Sequence, residues 1–355
     1  MNKKEKALFK ALCKFKEDTF DADLLTYASP EVLGHLFANR MQGVALGTLK
    51  KHQLLEKTNR EFRNSLAAAY EQNAKKNESF YQCVAMLNDI LSPLNFPFAM
   101  LKGAYLCSLY PLGHRTSNDV DLLVSASDIT TIGKLLAKAG FLQGSIYNDE
   151  FVPATRQDII SSRMLRGETV PYIKEVGLPF MKFFEVDINF SLDYKKESNN
   201  LVSNLLSQVC KKQTAAGLIP TLCDEDFFIH LCAHLYKEAT TLPWIKMSRD
   251  MTLYKYCDIY MLLAQSSDDQ MQRIFQRSLE LGLEMVCAYA ILETIELFEM
   301  DKTQVIQWAI TILADKPNFR LQVIAPSEKK MFQYQTPNAS KRFFMKSRIN
   351  DLKEI

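Results

Sequence analysis

The apolar positions of the chain follow two different periods, and the change from one to the other locates the core. Through residues 1–90 the period is helical. Leu8, Leu12 and Phe15 succeed one another at spacings of four and three on a Lys-rich segment, and LGHLFANRMQGVALGTLKKHQLL and FRNSLAAAYEQNAKKNESFYQCVAMLNDIL keep such a stripe. Pro93 and Pro97 break the pattern. FPFAML (96–101) is a short apolar run that predicts a strand leading into Lys102-Gly103, and DVDLLV (119–124) predicts a second strand. Ser127-Asp128 offers a cap to a helix whose stripe is Ile129, Ile132, Leu135, Leu136 and Ala139, closed by Gly140. Residues 141–193 return to extended character in FLQGSIY, PYIKEV and FMKFFEVDINF, with Gly177 and Pro179 at a turn. From Asp224 to Met300 the helical period resumes.

This order predicts an α+β protein, a small mixed β-sheet core flanked by helical N- and C-terminal regions. The expected division is a helical region at 1–90, an α/β core at 91–195, a helical domain at 196–310 and a basic C-terminal stretch at 311–355. There is no internal repeat.

Composition narrows the classes. An apolar fraction of 47% and a charged fraction of 24% are those of an ordinary folded chain, and 12 Gly with 12 Pro exclude collagen-like and low-complexity readings. Lys and Arg number 43 against 41 Asp and Glu, so a net charge of +2 exerts no general pull on a polyanion, and any nucleic-acid contact must be local. A basic stretch is formed by Lys329, Lys330, Lys341, Arg342, Lys346 and Arg348, without an acid and interleaved with Phe332, Tyr334, Phe343 and Phe344. It reads either as a docked or solvated tail or as a local RNA contact. The eight cysteines form no Cys-x-x-Cys pair, most lie among apolar residues, and no stretch has the length of a membrane span. A cytoplasmic protein with reduced thiols and no membrane span is expected.

The segment from Leu101 to Val124 carries the chemistry. In an extended strand Asp119 and Asp121 share one face, roughly 6.7 Å apart by strand rise, while Val120, Leu122 and Val124 face the core. Two carboxylates so placed repel each other unless a cation lies between them, and Mg²⁺ is the natural one. Gly103 follows a strand and opens a helix, where a phosphate can approach the backbone, and Lys102 adds a point charge. FFEVDINF (183–190) sets Glu185, Asp187 and Asn189 on one face and Phe184, Val186, Ile188 and Phe190 on the other. Its acids can supply a third carboxylate beside the first strand, and three carboxylates can hold two Mg²⁺ ions for phosphoryl chemistry. His230 and His234 stand at i, i+4, but no Glu follows His230, so they read as helix-face histidines and not as a metalloprotease site. GHRTSND has Thr116 where a kinase catalytic loop needs Asp, and the chain has no Walker A sequence.

A strand ending in a Gly-containing turn, an Asp-x-Asp strand and a later single-Asp strand resemble the nucleotidyltransferase superfamily related to DNA polymerase β. LKG…LYPLGHRTSNDVDLLV…LLAKAGF more closely resembles the uncharacterised bacterial nucleotidyltransferases, with flanking support from NRMQGVALGTLKKH, HLCAHLYK and LYKYCDIYMLL, over roughly residues 30–265. The resemblance implies that Asp119 and Asp121 are metal ligands and that Asp187 is the third carboxylate and general base. Glu185 shares its face, but the family's acid precedes an aromatic-rich strand end as Asp187 does. The resemblance also implies that Lys102, Gly103 and Arg115 face the phosphates of an NTP substrate. The implied reaction moves an NMP group to an acceptor hydroxyl and releases pyrophosphate, with Mg²⁺ or Mn²⁺ as cofactor. The acceptor is a small molecule, a protein hydroxyl or an RNA 3′ end. Two features depart from the pattern: sixteen positions separate Gly103 from Asp119, and Asn189 stands where family members often carry His. The alternatives are a catalytically silent nucleotide-binding regulator and a toxin or antitoxin-type interaction module of the same fold.

Overall fold

The computed structural model describes residues 1–165, 167–192 and 200–355, and these form two compact units, residues 42–227 and residues 1–41 with 228–355. No helix among the described residues is long and apolar enough to cross a membrane.

The unit 42–227 is built on a six-stranded sheet. Its strands are β1 (Ala99–Met100), β2 (Asp119–Leu123), β3 (Leu142–Tyr147), β4 (Glu150–Pro153), β5 (Tyr172–Leu178) and β6 (Met181–Asn189), in the order β1-β2-β6-β5-β3-β4. β2 and β6 are parallel and the other pairs antiparallel, so the sheet is mixed, as the alternation of strand and helix predicted. The long helix Arg60–Leu91 and the helix Ile129–Lys138 supply its cover. Phe80, Val84, Leu87 and Leu91 from the first, and Ile132 and Leu136 from the second, join Val120, Leu122, Val124, Phe184, Val186 and Ile188 in one core. The strand residues in that core alternate with the polar ones, so burial of one face commits the acids to the other.

Three elements lie outside the predicted pattern, each for a local reason. Tyr147 pairs with Glu150 across Asn148-Asp149, both at positive φ (49° and 59°), which is a two-residue hairpin turn that makes β4. Within the segment expected to be extended, the helix Arg156–Leu165 starts at Thr155. The Thr155 Oγ1 accepts from the Asp158 amide at 3.2 Å, while Asp158 Oδ2 accepts from the Thr155 amide at 2.9 Å, a reciprocal cap. The third is a separate hairpin, β7 (Val209–Thr214) with β8 (Gly217–Leu222). In it Cys210 faces Thr221, and Cys223 follows two positions on. The structure joins Cys210 to Cys223 in a disulfide with Cα atoms 5.3 Å apart, which corrects the expectation that every thiol is free. The remaining six cysteines are buried thiols.

The other unit is mainly helical, with Leu253–Gln265 and Glu284–Phe298 at its centre. Its C-terminal stretch is folded. β9 (Gln322–Ala325), β10 (Lys330–Tyr334) and β11 (Leu352–Glu354) form an antiparallel sheet, followed across the gap between β10 and β11 by the helix Ala339–Phe343. The basic side chains in it are ion-paired where the fold needs them. Arg342, 1% exposed, meets Glu293, 0% exposed. Arg348 grips Asp250 through two bonds of 2.6 Å, and Lys330 reaches Glu354 at 3.0 Å. His234 sits 3.4 Å from Glu238 one turn along its helix, and among the described residues no cluster of His, Cys, Asp and Glu is gathered to hold a metal.

Candidate active site

β2 and β6 bring the acids together. Their parallel register sets Asp119 beside Glu185 and Asp121 beside Asp187, on hydrogen-bonded neighbours about 4.8 Å apart. The two Asp-bearing segments, 66 residues apart in sequence between Asp121 and Asp187, therefore present one polar surface. On the other side of β2, the Leu101 amide donates to the Asp121 carbonyl at 2.8 Å and carries the chain straight into Lys102. Lys102 turns at φ +46° and caps the helix Gly103–Leu109.

Lys102 reaches back into the acids. Its Nζ donates to Asp121 Oδ1 at 2.8 Å, with 20% of the lysine side chain and 8% of the aspartate side chain exposed. Asn189 Nδ2 donates to the same oxygen at 3.2 Å. Asp119 Oδ1 accepts from the Ser117 hydroxyl at 2.7 Å. Burial would raise the Asp119 carboxyl, but Lys102, the Ser117 hydroxyl and Arg115 outweigh it and hold the group below its ordinary value. Asp187 goes the other way: burial first, then the charges of Asp121 and Asp119, push it well above the ordinary carboxylate value against the pull of Lys102. Burial and Asp119 likewise raise Glu185.

The loop that brings Arg115 and Ser117 to the site is held from behind. Asn77 accepts the Gly113 amide at 3.0 Å and donates to the Arg115 carbonyl at 2.8 Å, and Asn73 donates to the Gly113 carbonyl at 3.1 Å. The QGVALG segment serves the same loop. A Cβ on Gly43 would lie 2.1 Å from the Gly113 carbonyl oxygen, and one on Gly47 would lie 1.9 Å from the His114 ring. Both glycines allow the helix Gln42–Lys51 to press directly on the loop.

Ser117 was not named from sequence and Asn189 only as a polar-face residue standing where family members often carry His, while Asn77 and Glu168 were not named at all. The first two were legible: Ser117 extends the alternation of Asp119 and Asp121 by one step, and Asn189 that of Glu185 and Asp187. Glu168, whose charge raises Asp187, arrives through an antiparallel bridge to Asn189 that no local pattern announces.

Gly103 has a different surrounding from the one its position suggested. A Cβ there would lie 2.6 Å from both the Cβ and Oγ of Ser117. Gly103→Val should therefore displace Ser117 from Asp119, lowering the melting temperature as well as NTP affinity. A folded variant with the parent's melting temperature would show that Ser117 yields without consequence.

The donor set of Asp119, Asp121 and Asp187 is all carboxylate oxygen, as Mg²⁺ and Mn²⁺ prefer. With Glu185 the surface carries four carboxyl groups against Lys102 and Arg115, a deficit of positive charge that a divalent cation would make good. The residues fit such an ion in donor type and charge. As the side chains stand, no three of these groups converge on one point among the described residues, and the cation in contact with Asp121 is the lysine.

A search of curated proteins finds no significant match. Among solved structures, an antigenic nucleotidyltransferase-like protein from Paracoccidioides brasiliensis aligns over 65% of this chain and 98% of that one, at 15% identity and a TM-score of 0.39. The sequence pattern of a family described as uncharacterised nucleotidyltransferase matches residues 30–299. That span holds both acidic strands, the Lys102 turn and the helix whose glycines press on the Arg115 loop. It covers well over half of the sequence, and the chain belongs to this family of uncharacterised nucleotidyltransferases.

Proposed function

We propose that the protein is a metal-dependent nucleotidyltransferase that moves an NMP group from an NTP to an acceptor hydroxyl and releases pyrophosphate. The single observation that carries this reading is the register of β2 and β6, which sets Asp121 beside Asp187 with Asp119 one pleat away. Asp119, Asp121 and Asp187 would hold Mg²⁺ or Mn²⁺, which when bound would stabilise negative charge on the attacking acceptor oxygen and on the leaving phosphate oxygen. Asp187 accepts or orients the proton of the acceptor hydroxyl, whose oxygen forms the new bond to the α-phosphorus as the bond to pyrophosphate breaks. Asn189 and Ser117 fix the orientation of Asp121 and Asp119 through the bonds described above. Lys102, Gly103 and Arg115 line the path of the triphosphate.

A catalytically silent regulator is disfavoured by the retention of all three acids in a surface short of positive charge. A regulator has no need of them, since their repulsion opposes folding. The test is incubation of the full chain with each α-labelled NTP, Mg²⁺ or Mn²⁺, and cell extract separated into small molecules, protein and RNA. Label should pass to one fraction and pyrophosphate should appear in equal amount. Nucleotide binding without transfer in every fraction would favour the silent regulator.

A further inference from the structure

Lys102 is an unusual residue for its place. Its backbone lies at φ +46°, ψ −117°, a conformation in which glycine is at ease and a side chain is strained. Yet the position holds a long charged side chain, mostly buried, whose ammonium lies 2.8 Å from Asp121 Oδ1. Asn189 Nδ2 takes up a second direction at the same oxygen.

We propose that Lys102 is a built-in counter-ion that holds the carboxylates together without metal, competes with the metal for Asp121, and moves to the triphosphate when the metal binds. The proposal rests on the metal-dependent reading above and deepens it. Buried carboxylates side by side need a cation to stay ionised together. A lysine is suited to filling that need reversibly. Its ammonium is a compact point charge on a flexible four-carbon stem, so the head can leave Asp121 while the backbone turn stays in place. A cation that takes Asp121 Oδ1 displaces the ammonium from its 2.8 Å bond, and that competing contact is intramolecular. The ammonium so released lies on the path already assigned to the triphosphate, where it gains a new anionic partner. Lys102 is therefore a binding residue with two alternating partners, and its loss should shift metal and nucleotide affinity in opposite directions.

The test measures Mn²⁺ binding to the full chain without nucleotide, reading free Mn²⁺ by electron paramagnetic resonance, for the parent, Lys102→Met and Asp121→Asn. Removing the competitor should tighten Mn²⁺ binding in Lys102→Met on the order of tenfold, the weight of one charge-assisted hydrogen bond. Its metal-free melting temperature should fall below the parent's, and Mn²⁺ should restore it. At saturating Mg²⁺, a non-hydrolysable NTP analogue should bind Lys102→Met more weakly than the parent. Lys102→Gly, which suits the backbone angle and also lacks the ammonium, carries the same measurement if the methionine variant does not fold. Parent binding lost in Asp121→Asn but no tighter in either lysine variant would overturn the competition while leaving the metal site standing. Unchanged analogue affinity in the lysine variants would overturn the transfer of the ammonium to the triphosphate. Absence of Mn²⁺ binding in parent and lysine variants alike would instead remove the metal-dependent reading on which the proposal rests.

Discussion

Asp121→Asn and Asp187→Asn should both lose most nucleotidyl transfer, yet move the stability of the metal-free protein in opposite directions. Each substitution removes a carboxylate oxygen from the proposed ion site while nearly preserving volume. Losing one group that stabilises charge in the transition state reduces turnover on the order of 10²–10³-fold, and losing a positioned proton acceptor reduces it by a similar factor. The stability effects differ because the partners differ. Asp121 accepts from Lys102 at 2.8 Å and from Asn189 at 3.2 Å, so its asparagine variant leaves a largely buried ammonium without its carboxylate. A loss of about 1.5–3 kcal/mol is expected from that bond alone. Asp187 stands between burial and the like charges of Asp121 and Asp119, so neutralising it relieves repulsion, and the variant should match or exceed the parent. Asp119→Asn should follow Asp121→Asn in sign, since it gives up the Ser117 hydroxyl bond of 2.7 Å and the attraction of Lys102 and Arg115. Added Mg²⁺ should raise the parent's melting temperature more than that of any variant, because binding to the folded state stabilises it by mass action. A transfer assay beside melting curves with and without Mg²⁺ decides the matter. Full activity in Asp187→Asn would move the third carboxylate to Glu185; full activity in Asp119→Asn or Asp121→Asn would end the mechanism.

The polar surface of the two acidic strands was legible because strand alternation is a local property. Val120, Leu122, Val124 and Phe184, Val186, Ile188 had to share a core, which left Asp119, Asp121, Glu185 and Asp187 on the opposite face. What alternation does not contain is which residues of one strand lie beside which of the other. The pairing of Asp121 with Asp187 follows from the parallel register, and the pairing of Lys102 with Asp121 from a turn at positive φ that only a glycine would have advertised. The loop supports were hidden for a related reason. Asn73 and Asn77 lie on a helical stripe like any polar pair, and their role depends on a loop 36 and more positions away. Gly43 and Gly47 stand in a helical stripe that carries no sign of the close approach each marks. The C-terminal sheet was masked by charge: Lys329-Lys330 and Ser327-Glu328 make the turn and strand start between Val323 and Phe332 look like tail.

The folded C-terminal stretch leads to the second large effect, a loss of stability in Arg342→Met. A basic, aromatic-rich segment reads as a docked or solvated tail or as an RNA contact, and if it were solvated or held RNA, Arg342 would be dispensable to folding. In the structure its side chain is 1% exposed and meets Glu293, which is 0% exposed and is also held by Arg320 Nε at 3.0 Å. Arg342 Nη1 further donates to the carbonyls of Thr336 at 2.9 Å and Pro337 at 2.7 Å, closing the turn between β10 and the helix Ala339–Phe343. Methionine replaces the stem and none of these bonds. It leaves two carbonyls and half of a buried carboxylate without their donor. Breaking a buried ion pair from one side costs about 3–5 kcal/mol, a large part of a typical domain's total stability. Lys341→Ala, one residue earlier and exposed, should change stability by no more than about 0.5 kcal/mol. Glu293→Gln combined with Arg342→Met should cost less than the two single changes added together, because each single change leaves the other group buried and unmatched. Urea unfolding followed by circular dichroism measures the totals. Amide exchange localises them, with protection falling first in Glu284–Phe298 and Ala339–Phe343, the helices that carry the pair. A midpoint for Arg342→Met equal to that of Lys341→Ala would mean that the arginine leaves the interior in solution, and the basic stretch would again be a surface available to an anionic partner.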